Sequence, residues 1–242
     1  MREEKLGLRD SATAYRLPSA GLGSRVLAIC AKDVTQELRR RVAIVAVFFF
    51  AATALALVSF AIGPFGLPAE DRPPLQAALL WIILFFAAAT GLPRAFVQEE
   101  ETGTALALRK TLAAPLVVAG KTLFNLLLFL AMAAITIPGF VLLLDWTVGS
   151  PAAMAVTILL GGYGLAVVST FLSALVARAG QRGVLFVLIA FPLLAPLLLT
   201  AIAATLEAAR GEMPWTPLRV LLAYDGAATG AAYMLAAAAW EE

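Results

Sequence analysis

Histidine is absent from the 242 residues, and cysteine occurs only once, as Cys30. Histidine is the commonest metal ligand, the usual axial ligand of haem and the ordinary catalytic base near neutral pH. Zinc sites, di-iron sites and Ser-His-Asp triads are therefore poorly supported. A single thiol cannot form an internal disulfide, so cysteine usage does not reveal the redox compartment. We expect this chain to bind no cofactor or metal of its own.

Charge is also scarce, because 14% of the residues are charged, against roughly a quarter in soluble domains. In contrast, 62% of the residues are hydrophobic and the mean hydropathy is +0.91. The apolar residues form blocks of about 20, the length at which a helix crosses a hydrocarbon layer of ~30 Å. The composition therefore predicts an all-α, polytopic membrane protein.

Six transmembrane helices are predicted, with loops at 63–74 and 207–217 that contain Pro and Gly. The predicted spans are 42–62, 75–96, 122–144, 152–176, 184–206 and 218–240. Pro192 and Pro196 stand four residues apart inside the fifth span. Each removes a backbone donor and crowds the preceding turn, so we expect the helix to kink or break there.

Lysine and arginine residues indicate the orientation of these spans. With a cytoplasmic N-terminus, nine of them precede the first span, four lie in 94–121 and two lie in 177–183. Only Arg72, Arg210 and Arg219 fall on the opposite side. The distribution predicts that both termini are cytoplasmic.

Residues 1–24 are polar and lack the apolar core of a signal peptide, so we expect a flexible cytoplasmic tail. Residues 25–41 are predicted to form an amphipathic helix in which Asp33 and Glu37 belong to the polar side. Its apolar stripe consists of residues that recur every four positions: Val26, Cys30, Val34 and Leu38. The basic run at 39–41 directly before the first span favours a helix at the membrane interface over a solvated lead-in.

The cytoplasmic connection 97–121 is the segment that points most directly to function. It contains an acidic run, a glycine that permits a sharp turn, and a short helical run ending in bases, which suits a helix dipole. Six of its residues are predicted to couple the chain to a soluble motor protein: Glu99, Glu100, Glu101, Gly103, Arg109 and Lys110. An ordinary interfacial loop is the alternative interpretation.

Gly120-Lys121-Thr122 matches the end of a phosphate-binding P-loop, but the glycine required five residues earlier is Pro115. We therefore expect no nucleotide hydrolysis and no other enzyme activity in this chain. Any ATP would be bound by a partner protein.

Three further charged residues are candidates for functional contacts. Arg178 and Arg182 flank a cytoplasmic turn, where they either anchor the membrane topology or contact a partner or lipid. Asp225 lies about seven residues inside the last apolar block. A carboxylate within the membrane is costly and usually faces a cavity or a partner. If the span instead begins near Leu222, Asp225 lies at the outer interface.

Three sequence motifs carry a resemblance to a known family. They are FVQEEETGT…AAP…GK from Phe96 to Lys121, RAGQRGVLFVLIAFPLLAPLLL from Arg178 to Leu199, and LAYDGAATG in the last span. Together with the basic helix before the first span, they make residues 25–240 resemble the CcmB family. That family is the permease subunit of the haem-exporter ABC transporter of cytochrome c maturation, within the ABC-2 exporter class.

The resemblance implies an ABC-2 type permease in a bacterial inner membrane, paired with a CcmA-type ATPase and with CcmC and CcmD. It is also compatible with a permease homodimer. ATP hydrolysis in the partner would drive haem export or release of a haem-loaded periplasmic chaperone. Because the chain has no histidine to ligate iron, we favour a conformational device over a channel that grips haem, with haem as a candidate transported or handled ligand.

Two other functional classes remain open at this point. An ABC-2 exporter of a lipid, a polysaccharide or a drug would share the architecture and the acidic loop. An intramembrane enzyme or a proton-driven carrier would need several buried acids or bases, and the spans offer only Asp225. No nucleic-acid partner is expected, whereas contacts with membrane lipids are.

Overall fold

The structure, a computed structural model, describes residues 21–40, 42–62, 72–91, 113–176 and 182–240. Within these residues the chain forms α-helices and no β-strand, which confirms the predicted all-α class. The helices are α1 (Leu22–Arg40), α2 (Val42–Ile62), α3 (Arg72–Gly91), α4 (Ala114–Leu143), α5 (Pro151–Val176), α6 (Arg182–Ala209) and α7 (Trp215–Trp240).

Four helices of the described residues are long and apolar enough to cross a membrane. These candidate spans are Arg72–Ala89, Ala114–Leu143, Pro151–Leu175 and Leu188–Ala209. A shorter apolar stretch, Val45–Ala61, lies in α2. α7 is not among the four, and its sequence includes Arg219 and Asp225. Length and apolar composition together identify a membrane-embedded helical protein.

α5 lies at the centre of the bundle, in contact with α4, α6 and α7. Its glycines allow this close packing, because a Cβ atom on Gly161 would overlap the ring of Trp81 from α3. A Cβ atom on Gly162 would likewise overlap the ring of Phe129 from α4. Small residues permit such approach in membrane helices, where backbone proximity and packing replace the hydrophobic effect as the driving force. Trp81 is then held by its indole Nε1, which donates to Thr205 Oγ1 at 2.8 Å.

α4 begins eight residues earlier than the predicted third span, which started at residue 122. Ala113 is its N-cap residue and Pro115 stands in its first turn, where proline is favoured because its missing N–H would have no helical acceptor. Residues 114–121 of the predicted cytoplasmic connection are therefore the first two turns of a 30-residue helix. Such a helix is about 45 Å long, which is more than the ~30 Å hydrocarbon layer requires.

α6 continues through Pro192 and Pro196 as one helix, so of the predicted kink or break the described residues show no break, and the kink stays a prediction. The φ angle of proline is itself helical, and each proline removes one backbone hydrogen bond without forcing the helix to end. Neighbouring helices and hydroxyl side chains compensate for such losses in membrane helices. Near Pro196, the Thr200 Oγ1 hydroxyl donates to the Pro196 carbonyl oxygen at 2.8 Å, which adds a side-chain hydrogen bond at this point.

Candidate functional site

The candidate site is the junction between α1 and the first turns of α4. α1 buries one face against α4, and the buried residues of that face are Ile29, Cys30, Asp33 and Glu37. The predicted apolar stripe is therefore only partly correct. Cys30 of this stripe is buried, but Leu38, the last residue of the stripe, is 58% exposed. Leu27, which lies outside the predicted stripe, is 61% exposed. Two acids thus take the place that the pattern assigned to aliphatic side chains.

The acidic face is buried because α4 supplies a lysine to it. Lys121 is fully buried, and its Nζ lies 3.4 Å from Oδ2 of Asp33, which is 6% exposed. The other oxygen of this carboxylate, Oδ1, lies 3.2 Å from Nζ of Lys32, a residue that remains 39% exposed. A lysine is almost never buried without a charged or polar partner. The Asp33–Lys121 contact therefore determines which face of α1 turns toward the bundle.

A glycine brings the two helix backbones together beside this ion pair. A Cβ atom on Gly120 would lie 2.7 Å from the Ile29 Cβ and 3.2 Å from the Val26 carbonyl oxygen. Any larger residue would therefore push α1 away from α4. The Gly120-Lys121 pair serves helix docking here, which explains a pattern that resembles a P-loop without its first glycine. Sequence reasoning missed this role, although an acid at Asp33 and a lysine at the start of an apolar block were visible.

The single cysteine lies under the docked helix. Cys30 is 4% exposed and precedes Asp33 by one turn. Burial raises the pKa of the Cys30 thiol, and the negative charge of Asp33 raises that pKa further. Because the thiolate is the reactive form, the thiol is protected both sterically and electrostatically while α1 is docked.

A second polar contact continues from this junction into the centre of the bundle. Asn125, one turn after Lys121, donates from Nδ2 to Thr170 Oγ1 at 2.8 Å, and the Thr170 hydroxyl donates to the Ala166 carbonyl oxygen at 2.7 Å. The Asn125 side chain is fully buried. α4 thus links α1 on one side to α5 on the other through consecutive polar side chains on one of its faces.

Asp225 lies ten residues into α7, about 15 Å from its start, and is 3% exposed. A Cβ atom on Gly164 would lie 2.5 Å from its Oδ1, so the glycine of α5 makes room for the carboxylate. Neither carboxylate oxygen has a hydrogen-bond partner among the described residues. The helix begins at Trp215, before the predicted start of the span, which leaves Asp225 well inside α7.

The remaining predicted site residues are not placed by the structure. Glu99, Glu100, Glu101, Gly103, Arg109, Lys110 and Arg178 lie outside the described residues. Arg182 is the first residue of α6, and its side chain is not described. The structure does show that α4 begins at Ala114, four residues after Lys110, the last of the predicted coupling residues.

Comparison with known proteins gives one result that covers nearly the whole chain. No curated protein matches the sequence. The family described as CcmB protein, in contrast, matches residues 24–241. This range includes every described helix except the first two residues of α1. The chain therefore belongs to the CcmB family, the membrane permeases of cytochrome c biogenesis.

Proposed function

We propose that this chain is the transmembrane subunit of an ABC transporter for cytochrome c maturation, with six spans, an ABC-2 type fold and both termini in the cytoplasm. It couples ATP hydrolysis by a CcmA-type partner to haem export or to release of the haem-loaded periplasmic chaperone. Membership of the CcmB family supports the permease role and the partnership with an ATPase. CcmC and CcmD are the further membrane partners in this proposal.

The observation that carries the proposal is the docking of α1 on the first turns of α4 through Asp33 and Lys121. The last predicted coupling residue, Lys110, precedes α4 by four residues in the chain, so a force on that segment acts first on Ala114 and the turns that follow. α1 moves with these turns because the ion pair and the Gly120 contact join the two helices. Closely packed elements of this kind transmit displacement instead of absorbing it.

A buried ion pair suits such a junction better than an apolar contact. Its desolvation cost offsets much of its Coulombic gain, so it adds little net stability compared with a well-packed apolar pair. It does, however, specify one register, because a slip of either helix leaves a buried charge uncompensated. α1 is thereby held at a defined rotation, with its acidic face inward and Leu27 and Leu38 outward.

The proposal is tested by reversing two acids of the predicted coupling segment, Glu100→Lys and Glu101→Lys together. Coexpressed with the CcmA-type ATPase, CcmC and CcmD, this variant is expected to insert normally but to lose ATPase copurification and cytochrome c assembly. A matched control reverses Glu207 and Glu212, two acids at the far end of α6 and just beyond it, and is expected to retain both. Normal cytochrome c assembly in the first variant would refute the coupling role.

The wild-type complex, purified from the same coexpression, also tests whether haem is a ligand that the complex handles. If haem copurifies with the complex and leaves it when the chaperone is released, haem is a ligand that the complex handles. An ATPase that copurifies without haem, and with no effect on the chaperone, would instead favour an ABC-2 exporter of a lipid, a polysaccharide or a drug. In the favoured case ATP hydrolysis releases the chaperone, while the chain itself ligates no iron.

A further inference from the structure

A cleft of about 260 Å³ lies between α1, α4, α5 and α7, beside the junction described above. Aliphatic side chains make up most of its lining: Val26, Val118, Leu123, Leu126, Val167 and Ala232. Two of the polar groups in the wall satisfy each other, because the Tyr163 hydroxyl lies 3.1 Å from Thr229 Oγ1. The space therefore presents mainly carbon to whatever occupies it.

This lining suits a hydrocarbon chain better than water. A buried water needs two to four polar partners to be stable, and the aliphatic part of this wall offers none. Methylene groups, in contrast, gain dispersion contacts with aliphatic walls and lose nothing by leaving water. The α4 and α5 segments of the wall belong to helices long and apolar enough to cross a membrane, so lipid chains are the hydrocarbon available there.

α1 supplies the charge that would select the lipid. Arg25, Lys32 and Arg39 recur every seven residues and so form one row along a single side of the helix. Arg25 and Arg39 are exposed, and Arg25 immediately precedes Val26, which lines the cleft. A row of cations on an interfacial helix attracts anionic headgroups. The cleft and the start of the basic row therefore adjoin at Arg25 and Val26.

We propose that the cleft binds an acyl chain of an anionic phospholipid whose headgroup lies against Arg25, the first cation of the basic row of α1. The chain enters between α1, α4, α5 and α7, and Arg25 binds the phosphate at the mouth. This inference does not depend on the proposed transport function, because it rests on the lining and on α1 alone.

The test counts lipids retained by the full chain. The protein is reconstituted in nanodiscs of equal phosphatidylglycerol and phosphatidylcholine, extracted in mild detergent and measured by native mass spectrometry. The wild type is expected to retain phosphatidylglycerol in preference to phosphatidylcholine. Val26→Trp fills the cleft and is expected to lower retention at least about five-fold. Leu27→Trp is its matched control, because Leu27 is the next residue of α1, is exposed and does not line the cleft. This variant is expected to retain lipid as the wild type does.

A second pair of variants tests the headgroup. Arg25→Gln is expected to lower the preference for phosphatidylglycerol about five-fold, since one cation near an anionic surface contributes on this scale. Arg39→Gln, in the same row but four turns from the mouth of the cleft, is expected to leave that preference nearly unchanged. If Val26→Trp does not fold, as judged by gel filtration, Ala119→Leu fills the same cleft and takes its place.

Three results would overturn the proposal. The first is equal retention of lipid by Val26→Trp and Leu27→Trp. The second is equal retention of the two phospholipids by the wild type. The third is a Val26→Trp variant that retains as much lipid as the wild type but differs from it in oligomeric mass. That result would identify a protein partner or a second copy of the chain as the occupant of the cleft.

Discussion

Replacing Lys121 with methionine is expected to release α1 from α4 and to expose the Cys30 thiol. Lys121 is fully buried against Asp33, so the substitution leaves a carboxylate that is 6% exposed without its buried cation. Removing one partner of a buried ion pair costs about 3 to 5 kcal/mol. Because Lys32 still contacts the same carboxylate, we place the cost to docking at about 2 to 3 kcal/mol.

Lys32→Met is the matched control, because it removes the other cation from the same carboxylate. The Lys32 contact is shorter, at 3.2 Å against 3.4 Å for Lys121, so distance alone would rank it first. Its lysine is 39% exposed, however, and exposed pairs contribute about 0.2 to 1 kcal/mol because water screens them. Burial therefore outweighs distance, and the control is expected to have the smaller effect.

The assay is the rate of maleimide labelling of Cys30, the single cysteine of the chain, in mild detergent. Labelling requires transient undocking of α1, so the rate follows the free energy of that local opening. Lys121→Met is expected to raise the rate roughly 30- to 160-fold, and Lys32→Met less than about five-fold. Rates are normalised to those of the denatured chain, which removes differences in intrinsic thiol reactivity.

Equal labelling of the two methionine variants would refute the reasoning, because it would show that the buried lysine does not hold α1. Adding Asp33→Leu to Lys121→Met is expected to restore much of the protection, since an apolar pair can replace a buried ion pair without loss of stability. The loss of protection in the single variant and its return in the double variant together distinguish docking from general unfolding.

Three other predictions concern the packing. Gly120→Ala is expected to speed Cys30 labelling by displacing α1, at a cost of about 1 to 3 kcal/mol, whereas Gly23→Ala, which meets nothing within 4 Å, is expected to label as the wild type. Gly164→Ala is expected to lower the midpoint of thermal unfolding through its clash with Asp225, and Asp225→Ala is expected to recover part of that loss. Thr205→Val leaves the indole of the α3 tryptophan without its acceptor and is expected to destabilise the protein by about 1 to 3 kcal/mol, measured by thermal unfolding.

The positions of most helices followed from the distribution of apolar residues alone. The predicted segment 42–62 is α2 as found, and 152–176 differs from α5 by one residue. Helix length and hydrophobicity are local properties, and a backbone in lipid must satisfy its own hydrogen bonds within the segment. α4 begins eight residues before the predicted third span, because Pro115 and the residues after it continue into the apolar block as one helix. α6 likewise continues through its two prolines as one helix, and a kink at these prolines stays a prediction.

The sequence by itself determined the class of the protein, its family motifs and the approximate limits of its helices. Only the tertiary structure decided which polar groups meet. Asp33 and Lys121 are 88 residues apart, and either could have faced water until α1 packed on α4. The same holds for Asp225, whose burial depends on a glycine of another helix. Charge and periodicity describe one segment at a time, whereas the burial of a charge depends on what a second segment offers it.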